Sequence, residues 1–544
     1  MKSATIFTSP GGVRSAQSLR KLVAFANEHG TRFALREVDP FSLVSTRDYP
    51  GVVRPTGLAE LLLEPKEHLR SLWSEALGAA LRDELRGGGA ESDYATPVDE
   101  ADHLLLLVHG VYYSNLNRDF FSAVRAPLIR DALSNAGLEL NRVITLIDDI
   151  HDVVAHLSQP TFIMEPVADV TAGLTLEPTG RAIQAVMNMQ LALHWRAIEL
   201  FYAGELAREL DAVPHIVLAV RHRLQTAMDL CVSDKPIVYL SHPIADVRSS
   251  DAFREELSDV TLSLERSGVI PISPTSIDEY RFTSVDRPDG TRMHLPSLDR
   301  RWPTPSEEQL LWYPPGEDAE SVLDPTGRLQ GAEPDGTLGG MIAGLVFVIR
   351  QQVNSRDRAL VEQASSLVVW RPLFDGKLAS GVIEEIGHRN RRFDRRVAHH
   401  QPCFVCNPNS DLGKWRIRRF FAEARRYSDL PLSRWNEATS AVQEGMLASH
   451  DLVAGFGTAD VDSDELVISV ARRLPAIVLQ REQVGALSPQ ISVRQRQTSR
   501  YLWRDVVDAA CASNPLDAIL RDGDRVYSRP PDVAAFVSWL GSLD

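Results

Sequence analysis

Leu367-Val368-Val369-Trp370 and, one short loop later, Ser380-Gly381-Val382-Ile383-Glu384-Glu385-Ile386-Gly387-His388-Arg389 read as a buried strand running into the amino terminus of a helix. The strand is continuous in apolar side chains, the pattern of a strand covered on both faces. A strand of this kind leading into a helix predicts α/β architecture with a parallel sheet. It also brings a carboxylate, Glu385, towards the crevice outside the carboxyl ends of the strands, where ligands of open α/β sheets collect and helix amino termini offer oriented N–H groups. Glu384 lies about 100° further round the helix, so the two acids do not share one pocket easily.

Working outward, Pro236-Ile237-Val238-Tyr239-Leu240-Ser241-His242-Pro243-Ile244 reads as a second buried strand ending in a polar turn, and Asp251 to Arg266 as an amphipathic helix leading to Gly268-Val269-Ile270-Pro271-Ile272. Helix, glycine and strand in that order are a crossover signal. Upstream, apolar runs at Ala4 to Thr8, Arg32 to Val38, His103 to His109, Arg142 to Asp148 and His215 to Val220 alternate with helical stretches. Ala182 to Leu210 has the spacing of one long packed helix. The expectation is two doubly wound, Rossmann-like parallel-sheet domains. These are residues 1–232 and residues 233–544, the second carrying an irregular insertion at about 281–337 and a carboxyl-terminal extension in which Leu452 to Gly457 and Leu466 to Leu479 carry further elements. The Pro- and Trp-rich insertion suits a lid or an oligomer contact.

The two strands and the helix together resemble the nucleoside 2-deoxyribosyltransferase superfamily. That family opens with hydrophobic-Tyr-Leu-Ala-Gly-Pro, and Tyr239-Leu240-Ser241-His242-Pro243 follows it with Ser-His in place of Ala-Gly. Its second signature is an Asp, a buried strand, then Gly-Thr/Ser-x-x-Glu-hydrophobic-Gly. Asp357 precedes the strand here and Gly381 to Gly387 match, with Val382 where a hydroxyl residue is usual and Ser380 where an Asp often stands. The resemblance covers roughly residues 235–410 and implies Glu385 as nucleophile, Tyr239 orienting it, and Asp357 binding sugar or assisting the leaving base. Ser241, His242, Pro243, Asp375, Ser380 and Gly381 become candidates for substrate contact. A carboxylate below an anomeric carbon suits the oxocarbenium-like transition state of N-glycosidic bond scission and can form a covalent glycosyl intermediate. Read without the resemblance, Glu385 is equally a solvated acid near a helix amino terminus, Tyr239 a core aromatic, and Asp357 a partner of Arg356 or Arg358.

In the amino-terminal half, Thr8-Ser9-Pro10-Gly11-Gly12-Val13-Arg14-Ser15 joins the first strand to a helix, the setting of a phosphate-cradling loop. Against Gly-x-x-x-x-Gly-Lys-Ser it has Thr8 and Val13 at the glycines and Arg14 at the lysine, and only Ser15 matches. Val143-Ile144-Thr145-Leu146-Ile147-Asp148-Asp149 resembles the strand that ends in magnesium-associated acids in P-loop proteins. The half therefore resembles a nucleoside-monophosphate-kinase-type P-loop domain with an altered phosphate grip. Gly11, Gly12, Arg14, Ser15 and Asp148 are candidates for holding an Mg-nucleotide. Asp148 and Asp149 serve equally as caps of the helix that follows.

The chain has 544 residues, 44% hydrophobic and 24% charged, with a net charge of -15. Such a length exceeds one core. The acidic balance argues against a general nucleic-acid binder, although Arg389, Arg391, Arg392, Arg395 and Arg396 form a local basic cluster. Four cysteines give no disulfide framework, and the absence of a signal peptide or a span of about 20 apolar residues makes a cytoplasmic protein the expectation. The run Leu338 to Ile349 reads as a buried helix. His399, His400, Cys403 and Cys406 have a zinc-like look, but Pro402 to Asn407 reads as a strand that would turn these side chains to different faces.

The expected activity is hydrolysis or transfer at an N-glycosidic bond of a nucleotide or nucleoside, NAD or a deoxynucleotide, with no cofactor required. The fusion resembles anti-phage defence effectors that deplete a nucleotide pool, with a homo-oligomer and a protein or phage trigger as the expected partners. Val238 to His242 followed by Asp246 also looks like the start of a TIR domain, making a TIR-like NADase one alternative. A non-catalytic nucleotide-binding regulator or a nucleotide kinase is the other.

Overall fold

The computed structural model describes residues 2–38, 61, 64–81, 100–114, 119–122, 124–157, 178–244, 250–277, 282–286, 292–296, 309–312, 336–394, 403–407, 411–412, 415, 465–468, 477–480, 515–521 and 524–527. Its elements run β1 (Lys2–Thr8), α1 (Ser15–Glu28), β2 (Phe33–Glu37), α2 (Lys66–Leu81), β3 (His103–Leu107), β4 (Tyr112–Ser114), β5 (Asp119–Phe121), α3 (Ala126–Asn135), β6 (Leu138–Ile147), α4 (Ile150–Leu157), α5 (Pro178–Glu209), β7 (His215–Ala219), α6 (Leu224–Val232), β8 (Ile237–Ser241), α7 (Asp251–Arg266), β9 (Ile270–Ile272), β10 (Phe282–Asp286), β11 (Arg292–Pro296), α8 (Gly336–Gln363), β12 (Ser366–Trp370), α9 (Ser380–Asp394), β13 (Cys403–Cys406), β14 (Glu465–Ile468), β15 (Ile477–Gln480) and β16 (Arg525–Tyr527). They form two compact units, Met1–Ile237 with Gly268–Gln363, and Val238–Ser267 with Ala364–Asp544. The architecture is mixed α/β built on parallel sheets.

In the first unit five parallel strands lie in the order β2-β3-β1-β6-β7. Ile6 sits beside Leu106 on one side and Val143 on the other. Side chains alternate across the sheet into two cores. Phe7, Leu105, Leu107, Ile144, Leu146 and Leu218 join α1 and α6 on one face. Ala4, Ile6, Ala34, Leu104, Leu106 and Val143 join α2 and α3 on the other. Burial on both faces accounts for the unbroken Leu104 to Leu107 run, each leucine contributing roughly 1.5–3 kcal/mol.

Helix α5 serves both cores, giving Val186, Met189 and Leu193 to the first and Ala203, Leu206 and Leu210 to the second. Helix α8 differs from the buried helix expected over Leu338 to Ile349. Ile342, Leu345 and Ile349 are buried, but Phe347 is 61% exposed, so the apolar run covers one face only. Within the expected insertion, Leu310, Leu311 and Trp312 belong to the first core, and β10 pairs antiparallel with β11. Trp312 donates its indole N–H to Asp152, which also pairs with Arg221 at 2.5 Å.

In the second unit β16, β13, β12 and β8 follow one another as parallel neighbours. Leu367 lies beside Tyr239 and Cys403, and Val369 beside Ser241 and Val405. Helix α7 is capped by Ser250, whose hydroxyl accepts from the Phe253 N–H, and buries Phe253, Leu257 and Leu264. From the stretch Leu466 to Leu479, β14 and β15 form an antiparallel pair. The stretch Leu452 to Gly457, Asp246, His399 and His400 lie outside the described residues. Among the described residues no helix is long and apolar enough to cross a membrane.

Candidate functional site

Strand β8 ends with Tyr239 and Ser241 two residues apart, so both side chains leave the same face of the sheet. Helix α9 crosses that face. Its buried stripe is Val382, Glu385, Ile386 and Arg389, at the three- and four-residue spacing of one helix side, whereas Glu384 is exposed. The geometry thus separates the two adjacent acids: Glu384 meets solvent and Glu385 is only 8% exposed.

The phenol of Tyr239 donates to Glu385 Oε1 at 2.7 Å, and the hydroxyl of Ser241 donates to Glu385 Oε2. Each carboxylate oxygen therefore receives an O–H donor from the same strand. Tyr239 and Ser241 are fully buried. Hydrogen bonds to an ionised acceptor are about twice as strong as neutral ones, and a buried carboxylate needs them to offset desolvation. Both donors are rotors, able to follow the carboxylate as its charge changes.

His242 follows directly. Its Nδ1 donates to the Leu240 carbonyl at 3.0 Å, so in the neutral ring Nε2 is an acceptor. Burial pulls its pKa down to about 4, and the buried Nε2 meets no hydrogen-bond partner among the described residues. A neutral imidazole of this kind accepts from a hydroxyl or amine and offers no cation to a phosphate. Pro243 is buried beside it.

The loop between β12 and α9 is tightly bound. Arg371, at φ 49°, lies in the left-handed region and is held by Asp411 at 2.8 and 3.1 Å and by Glu256 at 2.8 Å. Its guanidinium lies 4.7 Å from the Phe374 ring centre, and Phe374 stacks on Phe253. Asp375 also has a left-handed backbone, at φ 48°. Ser380 and Gly381 open α9 in exposed positions, and a Cβ on Gly381 would meet open space.

Of the residues singled out for catalysis, the structure brings Tyr239 and Glu385 together and adds Ser241 to them. Asp357 belongs to the first unit, on α8, where its carboxylate accepts from Arg356 Nε at 3.0 Å and Nη2 at 2.8 Å. Arg389, read as part of a basic cluster, is fully buried and makes a bidentate pair with Asp524 at 3.0 and 2.7 Å. Asn390 beside it donates to the Ile519 carbonyl. This pair ties α9 to the chain before β16 and leaves Arg389 unavailable to an external phosphate. Cys403 and Cys406 are buried on β13, and burial pushes both thiols up to about 12. Among the described residues no cluster of His, Cys, Asp or Glu is gathered that could hold a metal ion.

In the first unit the loop after β1 is in contact with protein groups. Gly12 gives its carbonyl to His156 Nδ1 at 2.9 Å, and Ser9 donates its hydroxyl to Ser15 at 3.0 Å. Gly11 lies under Trp195, so close that a Cβ there would fall 2.4 Å from the indole. Arg14 is half-buried. Asp148 accepts from the Asp149 N–H, and Asp149 from the His151 N–H, as capping side chains do. Burial and then the nearby Asp152 hold Asp148 well above the usual carboxylate range.

No family model matches the chain, and no curated protein matches it significantly.

Proposed function

We propose that the second unit cleaves an N-glycosidic bond of a nucleotide or nucleoside, with Glu385 as the carboxylate that meets the anomeric carbon. The observation that carries this reading is the grip on Glu385: a buried acid, on the helix after a parallel strand, receiving one hydroxyl donor on each oxygen from the neighbouring strand. A nucleophilic or charge-stabilising carboxylate must be aimed and shielded from water, and these contacts supply both. Tyr239 and Ser241 act as positioning residues. His242 Nε2 is suited to accept from a sugar hydroxyl.

A Glu385 oxygen bonds to the anomeric carbon as the N-glycosidic bond breaks and the base leaves; water then attacks that carbon, loses a proton to solvent and breaks the ester bond, returning Glu385 as a free carboxylate. A second nucleobase in place of water completes a transfer. Incubation of the purified chain with NAD, deoxynucleotides and nucleosides, followed by chromatography, tests the reading. Release of nicotinamide or a free base by the wild type, and its loss in a folded Glu385→Gln variant, is the expected result. Full release by Glu385→Gln would refute it.

A further inference from the structure

Glu199 on α5 is fully buried, and among the described residues no Lys or Arg pairs with it. Its carboxylate instead accepts from the Gly110 N–H at 2.9 Å and the Val111 N–H at 2.8 Å. Thr8 and Ser9, at the end of β1, lie close enough to favour its charged form. Two successive N–H donors of the loop after β3 thus hold one carboxyl group beside the end of β1, and the two strands are adjacent in the sheet. The approach is close: a Cβ on Gly110 would lie 2.8 Å from Glu199 Oε1, so glycine is required there.

From these two strands the chain departs to opposite faces, since α1 packs in one core and α3 in the other. That divergence is the switch-point crevice in which open α/β sheets bind ligands. Backbone N–H groups converging in such a crevice form an oxyanion nest. One turn before Glu199, Trp195 covers Gly11 and donates to the Val111 carbonyl at 3.0 Å. Burial works against the charged form, raising the Glu199 pKa to about 8 despite the two N–H donors.

We infer that the loops after β1 and β3 form a binding site for a phosphate-type oxyanion, and that α5 keeps it closed in this structure with Glu199 as the internal occupant and Trp195 as the cover. Removing the internal carboxylate opens the nest to an external anion. This inference concerns the first unit and does not depend on the glycosidase reading.

The test is calorimetric titration and thermal-shift measurement on the full-length wild type and on Glu199→Ala, using inorganic phosphate, ATP and adenosine, with chloride-matched controls. Saturable phosphate or ATP binding at least tenfold tighter in Glu199→Ala than in wild type is expected, with no gain for adenosine. A preference for phosphate over ATP would identify the free anion as the ligand, and the reverse a nucleotide. If Glu199→Ala folds only when phosphate is added, the nest is likewise an anion site. Glu199→Gln, of the same size, gives the second reading when Glu199→Ala stays unfolded with or without phosphate. Folded variants that bind both anions no better than wild type overturn the inference, as does a gain for adenosine equal to that for ATP.

Discussion

Replacing Tyr239 by Phe removes one oxygen and leaves the ring in place, so its cost includes the bond to Glu385. The bond is 2.7 Å long, its donor is fully buried and its acceptor 8% exposed. Hydrogen bonds to charged groups are worth about 1.5–3 kcal/mol, and loss of a donor leaves a buried carboxylate oxygen less well satisfied. Tyr239→Phe and Ser241→Ala are each expected to destabilise the second unit by about 1.5–3 kcal/mol. Denaturant unfolding of the full chain, with the second unit followed by hydrogen exchange of β8 and β12, measures this. The decisive quantity is the coupling in a double-mutant cycle with Glu385→Ala. Once the carboxylate is gone, the Tyr239 hydroxyl has lost this acceptor, so Tyr239→Phe costs less and a coupling of about 1–2 kcal/mol is expected. Additivity within about 0.5 kcal/mol, the behaviour of residues without shared contacts, would show that the two side chains do not meet and would remove the basis of the proposed site.

Breaking the Arg389–Asp524 pair with Asp524→Ala strands a buried guanidinium and is expected to cost about 3–5 kcal/mol. Arg389→Lys should not restore it, because one ammonium cannot reproduce the bidentate geometry; urea midpoints of the variants check both statements. The first unit should lose stability as pH rises from about 6.5 to 8. Glu199 has a folded pKa of about 8 against an ordinary 4.5, so its contribution is full below the unfolded value and disappears as pH approaches the folded one, at up to roughly 1.4 kcal/mol per pH unit. Asp148, also raised by burial, adds to the same slope, so Glu199→Gln should reduce it rather than abolish it in melts across that range. On the acid side His103, His215 and His222 are each drawn by burial from 6.5 to about 4. Stability from these neutral histidines is full above 6.5 and lost as pH falls towards 4, which acid melts would reveal. The buried thiols Cys231, Cys403 and Cys406 should react with an aromatic disulfide reagent at least tenfold more slowly in the native protein than in urea.

Much of the parallel-sheet pattern is legible in the chain because a strand buried on both faces must be apolar throughout. The runs at Ala4, His103 and His215 announce themselves in this way, and β1, β3 and β7 occupy them. Strand order is not written locally: that β1 lies between β3 and β6 follows from pairings about a hundred residues apart. The core role of Leu310 to Trp312 is not legible for a related reason, since a few apolar residues among prolines carry no period. The site divides along the same line. Tyr239 and Glu385 are legible through a motif, whereas the motif alone makes Ser241 a substrate contact, although its two-residue spacing from Tyr239 puts both hydroxyls on one face. Arg389 looked like one member of a basic cluster. Its place in the stripe Val382, Glu385, Ile386 and Arg389 was the signal that it faces inward, while its partner Asp524 could not be seen from sequence. Glu199 carries a comparable signal, being four residues from both Trp195 and Ala203 on one side of α5.

Two buried glutamates, one in each unit, are held by different kinds of donor. Glu199 is held mainly by backbone N–H groups whose directions are fixed by the sheet ends, and a glycine is needed to let it approach. Such donors cannot follow a change of charge or a new bond at the oxygen, so an acid held by them is suited to filling a site. Glu385 receives the hydroxyls of Tyr239 and Ser241. These can rotate away when an oxygen bonds to carbon and return when the carboxylate is released, which costs torsional energy but no backbone movement. The proposed alternation of Glu385 between free anion and glycosyl ester would use that freedom. The contrast yields its own check: Ser241→Thr keeps a rotatable donor and should retain glycosidic turnover in part, whereas Ser241→Ala should lose at least tenfold in turnover, and equal activity in the two variants would place the Ser241 hydroxyl outside the reaction.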